Sequence, residues 1–220
     1  MKRHIFIGDI HGCFDEVSEL LSRLRVTNDD VVAATGDLTR KGPAPDRCVD
    51  LWRSRRFLSV LGNNDLKMIE RAGRWRSMLS RRSDRVVLKR RDLIAEIERW
   101  PLILEFEEAG VIVVHGGVMP DGSCPRDAAL ELRFVRRDGD GWRMVPKGSE
   151  KDGDRFWSEV WDGERIVIYG HTPREKPKID RRAIGIDTGC VYGGSLTAAV
   201  FESPGSWTLT GVRARRAYSR

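Results

Sequence analysis

The chain has 220 residues, a formal net charge of +6, 40% hydrophobic and 33% charged residues. That length suits a single domain over 1–220 with a sizeable core, and that composition reads as soluble and globular. No apolar run approaches the ~20 residues that cross a bilayer as a helix, so no membrane partner is expected.

A first strand is expected over 4–8, where Ile5, Phe6 and Ile7 are contiguous and apolar. The basic start followed by an apolar stretch superficially suggests a signal peptide. The stretch is too short for one and runs straight into Gly8-Asp9. Phe14, Val17, Leu20, Leu21 and Leu24 share one face of a helix over 14–25. A strand over 31–36, a helix over 46–54, a strand over 57–62 and a helix over 65–72 follow. Strand, loop and helix thus alternate three times, which implies parallel strands with the loops at their C-terminal ends.

Later segments are richer in strands. Residues 102–106 and 111–115 are expected to pair through a turn at 107–110. Strands over 166–170, 183–187, 195–202 and 206–212 come next. Residues 138–155 are polar and glycine-rich and read as a loop or cap insertion. The fold class is α/β (α+β): two mixed β-sheets packed as a sandwich and flanked by helices.

The basicity is local. Residues 71–91 hold nine Lys and Arg against one acid, Asp84, and the last eight residues hold four Arg and no acid. The remainder is net acidic. The segment 71–91 is either a solvated helical face or a landing surface for polyanions such as RNA, nucleotides or polyphosphate. Cys13, Cys48, Cys124 and Cys190 lack metal-binding spacing and read as free thiols in a reducing cytoplasm.

Three of the four histidines stand in glycine-flanked blocks: Gly8-Asp9-Ile10-His11-Gly12, Val114-His115-Gly116-Gly117 and Tyr169-Gly170-His171-Thr172-Pro173. Gly36-Asp37 and Gly62-Asn63-Asn64-Asp65 lie between them. Asp9, His11, Asp37, Asn63, His115 and His171 form a set of oxygen and nitrogen donors suited to two divalent metals at the sheet edge. Mn, Fe, Zn, Co or Ni fits such a set better than Ca, which prefers all-oxygen sites. Each donor follows a strand, which holds it rigidly. Paired metals supply a hydroxide at neutral pH and clamp both oxygens of an in-line phosphoryl displacement.

These five blocks resemble the phosphoprotein-phosphatase branch of the calcineurin-like metallophosphoesterases, whose pattern is GDxHG, GDxxDRG, GNH[ED], HGG or HAG, and GH. The short bacterial and phage members are most similar: serine/threonine protein phosphatases, symmetrical diadenosine tetraphosphatases and ApaH-like phosphatases. Gly42-Pro43, the block from Tyr169 to Thr197, Leu132-Arg133-Phe134 and residues 157–163 carry that likeness. The resemblance implies one metal on Asp9, His11 and Asp37, and a second on Asp37, Asn63, His115 and His171. Mn2+ is the first choice of metal. It further implies a metal-bridging hydroxide as nucleophile, with Asn63 and Lys41 holding phosphoryl oxygens.

The departures matter as much. The family's proton-donating His is Asn64 here, its orienting Asp is Arg40, and its phosphate-gripping Arg is Lys41. An amide does not protonate a leaving group near neutral pH, a role usually contributing ~10²–10⁴-fold. Lysine supplies charge but not a bidentate fork. Four readings follow: an inactivating substitution, an enzyme for good leaving groups, a phosphodiesterase with Arg40 on a second phosphate, or a non-catalytic metal-binding relic. Arg133 and Arg136 are candidates for a second phosphate clamp, or plain surface charge. His4 reads as structural, and Trp75 or Trp142 as packing residues or base-stacking platforms. A phosphoprotein, a nucleotide and an RNA 5′ end or polyphosphate all remain candidate substrates. The rival class is a polyanion-binding module working through 71–91.

Overall fold

The structure is a computed structural model that describes residues 2–72 and 81–220. The chain opens with β1 (His4–Ile7), α1 (Phe14–Arg23), β2 (Val31–Ala34), α2 (Pro45–Arg55), β3 (Leu58–Ser59) and α3 (Asn63–Arg71). Two short helices, α4 (Arg82–Leu88) and α5 (Arg91–Ile97), lead to β4 (Ile103–Phe106) and β5 (Val111–Val114). Then come α6 (Arg126–Glu131), β6 (Phe134–Asp138), β7 (Gly141–Val145), β8 (Arg155–Phe156) and α7 (Trp157–Val160). The chain closes with β9 (Ile166–Tyr169), β10 (Lys178–Ile179), β11 (Ala183–Gly185), β12 (Ser195–Ser203) and β13 (Ser206–Arg213).

Two five-stranded mixed sheets form the frame, ordered β13-β12-β1-β2-β3 and β10-β11-β9-β5-β4. β1, β2 and β3 run parallel, as do β5, β9 and β11. The expected sandwich is therefore present. β1 is buried along its whole length because both faces are covered. Ile5 and Ile7 face the helices with Leu20 and Trp52, whereas Phe6 faces the second sheet with Phe106, Val113 and Phe201. That split follows from the two-residue period of a strand. His4 is buried against the Phe6 and Phe106 rings. Burial holds its imidazole below the ordinary range. This is the structural place expected for it.

Two stretches differ from the sequence reading. Residues 138–155 are not a plain loop. β6 and β7 form a hairpin that pairs Phe134 with Val145 and Asp138 with Gly141, and β8 joins it as a small third sheet. The polar, glycine-rich composition concealed it because one face of a two-stranded ribbon is solvated. In 71–91, α4 carries Val87 into the core under α2. Residues 73–80, including Trp75, lie outside the described residues. Trp142 lies under the Arg137 guanidinium, 4.2 Å from ring centre to carbon, on the hairpin. All four cysteines are free thiols. Among the described residues, no helix is long and apolar enough to cross a membrane.

Candidate metal centre

The ligand loops leave the C-terminal ends of β1, β2, β5 and β9, which are neighbours within the two facing sheets. Asn63 is different: it opens α3. Five of the residues singled out in sequence take positive φ: His11, Asp37, Arg40, Lys41 and His171, at 48°, 53°, 67°, 63° and 66°. Side chains seldom adopt this left-handed region, and such strain collects where function holds a loop in place. Two glycines let the carboxylates approach. A Cβ on Gly62 would stand 2.2 Å from Asp37 Oδ1, and one on Gly170 2.0 Å from Asp9 Oδ1.

Asp37 sits at the centre. Its Oδ2 lies 3.5 Å from His11 Nε2 and its Oδ1 lies 3.6 Å from His115 Nε2. The other nitrogens of these rings face backbone carbonyls: His11 Nδ1 is 3.1 Å from Thr39 O, and His115 Nδ1 is 2.8 Å from Thr35 O. A carbonyl only accepts, so both Nδ1 atoms carry the proton and both Nε2 lone pairs face Asp37. His115 Nε2 is fully buried and has no hydrogen-bond partner. Donor atoms of Asp9, Asp37 and His115 all lie within 4.8 Å of one another.

Charge points the same way. Burial, together with Asp187 and Asp37, pushes the Asp9 carboxyl well above its ordinary range. Burial likewise raises Asp187 to about 6. Asp37 is held low despite its burial, where the Asn64 amide donates to it and Lys41 lies nearby. Burial lowers His11 to about 4, so its imidazole is neutral and its Nε2 carries a lone pair. Crowded carboxylates, an orphaned imidazole nitrogen and mixed N/O donors fit divalent metal ions.

The remaining predicted residues divide. Asn64 donates its backbone N–H to Asp37 Oδ1 at 2.8 Å and its amide to Asp37 Oδ2 at 2.6 Å and to Asn63 Oδ1 at 2.8 Å. Asn63 Nδ2 donates to Glu131 Oε1 at 3.3 Å, which turns its Oδ1 inward. Arg40 Nη1 donates to Asn64 Oδ1 at 3.3 Å, and its Nε lies 3.8 Å from the buried Asp84 carboxylate. Lys41 Nζ lies 3.0 Å from His11 Nε2 and over the Tyr192 ring. Arg133 Nε donates to His171 Nε2 at 3.3 Å. Arg136 does not join them: both ends of its guanidinium bond Asp154 at 2.6 Å within the small sheet.

Sequence reasoning passed over three residues here. Asp187 lies in the block after β11, beside Asp9. Asp65 receives Thr39 N at 2.9 Å, Thr39 Oγ1 at 2.7 Å and Gly62 N at 3.2 Å, tying the Asp37 loop to α3. Burial raises that carboxyl to about 7. Glu131 orients Asn63. Only Asp65 carried a visible signal, as the acid that closes the Gly62-Asn63-Asn64 block.

Residues 2–205 match the family model for calcineurin-like phosphoesterases. An asymmetrical bis(5′-nucleosyl)-tetraphosphatase, PrpE, from Halalkalibacterium halodurans is 30% identical over 89% of this chain and 88% of its own. Its counterpart from Oceanobacillus iheyensis is 28% identical over 89% and 87%. A crystal structure assigned as a diadenosine tetraphosphatase superposes with a TM-score of 0.82 at 29% identity, covering 97% of this chain and 94% of that one. The sequence resemblance took in protein phosphatases, symmetrical tetraphosphatases and ApaH-like phosphatases, and these relatives carry the asymmetrical tetraphosphatase name.

Proposed function

Because the chain belongs to the calcineurin-like phosphoesterase family and is a phosphohydrolase, we propose that its substrates are phosphoanhydrides of nucleotides. The observation that carries the metal chemistry is Asp37, with one oxygen facing each of two imidazole lone pairs. Asp9, His11 and Asp37 would hold one metal, and Asp37, Asn63, His115 and His171 the other. Mn2+ is the metal we favour. When bound, such a pair supplies hydroxide at neutral pH and offsets the charge that builds on the phosphoryl oxygens.

The protein's own groups do the rest. Lys41 and Arg133 place two cations at the imidazoles, where a phosphoryl group would arrive. Asn63, turned by Glu131, presents its oxygen inward. Asn64 holds Asp37 and has no acidic proton to give a leaving group. Poor leaving groups need protonation, whereas a phosphate leaving from an anhydride is already a weak base. The missing acid therefore supports an anhydride substrate, in keeping with the tetraphosphatase names of the relatives.

Steady-state turnover with Mn2+ tests this. Diadenosine tetraphosphate and p-nitrophenyl phosphate should be hydrolysed, with alkyl phosphates far slower. Faster turnover of bis-p-nitrophenyl phosphate than of either would favour a phosphodiesterase. No turnover of any of them would remove the hydrolase reading.

A further inference from the structure

A cavity of about 490 Å³ opens beside Asn63 and His171 and is lined by residues of α3, α6 and the end of the β6–β7 hairpin. Small-ligand sites are usually ~300–1,000 Å³. Three cations line it: Lys67 from α3, one turn beyond Asn63, Arg133 from the link after α6, and Lys147 just past β7. Among the described residues neither lysine has a carboxylate partner, and the hydrogen bond of Arg133 goes to an imidazole. Arg136, on the same hairpin, is held by Asp154. Lys67 and Lys147 are thus left without a carboxylate, while Arg133 has His171 and the more distant charge of Glu150. Half-buried Met144 and exposed Pro146 give the cleft an apolar edge.

We propose that this cleft seats the part of a nucleoside polyphosphate beyond the scissile phosphate. Arg133, at His171, marks where the chain leaves the metals, Lys67 and Lys147 take the distal phosphates, and Met144 with Pro146 forms the apolar rest for a base. The assignment rests on the nucleotide reading above. It fits the geometry because the cations start at the metal ligands and end at the hairpin, so a phosphate chain anchored at the metals runs along them. Methionine suits the far end, since its flexible, polarisable side chain contacts aromatic rings well. Asp127 and Glu131 line the α6 wall. They oppose a bare polyanion and leave acceptors for hydroxyl and amino groups, so a nucleotide is held better than inorganic tripolyphosphate.

Calorimetric binding to the full chain with Mn2+ tests the assignment, using a nonhydrolysable imido analogue of ATP and inorganic tripolyphosphate as probes. The Lys67→Glu/Lys147→Glu variant should bind both at least about tenfold more weakly. Met144→Ala should weaken only the nucleotide analogue. Affinities within twofold of the parent, in a charge-reversed protein with parental circular dichroism, would overturn the proposal. So would equal weakening by Lys2→Glu/Arg99→Glu, which makes the same charge change away from the cleft. Turnover of diadenosine tetraphosphate and p-nitrophenyl phosphate by the parent is read separately: absence of both would remove the hydrolase reading and leave the binding comparison intact.

Discussion

Replacing Asn64 with His is the sharpest test of the missing acid. A general-acid imidazole must carry a proton, and Arg40 already donates to the oxygen of residue 64 at 3.3 Å. With the Asp37 charge offset by bound metals, two unit charges ~4 Å apart at an effective dielectric of ~20 repel by up to about 4 kcal/mol. That is about three units off an imidazole pKa of ~6.5, so about one molecule in a few thousand would be protonated at pH 7. Asn64→His alone should therefore change kcat/KM for an alkyl phosphate by less than about threefold, despite the ~10²–10⁴-fold that the role can contribute. Arg40→Asp removes the opposing charge but brings a second carboxylate against Asp84, which is 2% exposed and already has an unpartnered oxygen. The informative protein is thus Asn64→His/Arg40→Asp/Asp84→Asn. It should gain ~10²-fold or more on alkyl phosphate. On p-nitrophenyl phosphate it should gain little, because that leaving group departs unprotonated. The assay is steady-state kinetics with Mn2+, with metal content checked for each variant. A hundredfold gain from Asn64→His alone would refute the electrostatic argument. No gain from the triple variant with metals in place would show that another group already serves as acid.

Three further outcomes are expected. Asp37→Asn should lose both activity and bound metal, read by elemental analysis; a fully active, metal-free protein would sink the mechanism. In the basic segment, Arg90 is tied to Asp50 and Asp92, and Arg81 to the Lys41 carbonyl and Ser219. Reversal is therefore best confined to the exposed Arg82 and Arg91. If the segment recruits polyanions, Arg82→Glu/Arg91→Glu should weaken RNA or polyphosphate binding and flatten its salt dependence, and equal binding across a salt titration would mark the charge as solvated surface. Arg3 donates to Asp30 at 2.7 and 2.8 Å and, as the largest cause, holds that carboxyl below its ordinary value. The pair's stabilisation is then present above about pH 4 and lost as pH falls through the depressed value. Thermal melts of Arg3→Ala and parent should differ at neutral pH and converge in acid, and a constant gap would refute the linkage.

Much of the frame was legible in the chain itself. Contiguous Ile5-Phe6-Ile7 and the apolar runs before His115 and Gly170 announce buried strands, because a strand covered on both faces has no polar side. Glycine beside each donor announced the ligand loops, because a carboxylate packs within van der Waals contact only where a neighbouring Cβ is missing, as at Gly62 and Gly170. Other features came from the fold alone. The β6–β7 hairpin has too little alternation to stand out, and its strands are set by pairing with each other and with β8. Arg133 and Arg136, three residues apart, look alike in sequence. The turn from α6 into β6 sends Arg133 to His171 and Arg136 to Asp154. Asp187 and Glu131 gain their places only when distant segments meet at one sheet edge. Local pattern determines which residues are buried or turned. Which side chains meet across the site depends on contacts between residues far apart in the chain, and only packing settles those.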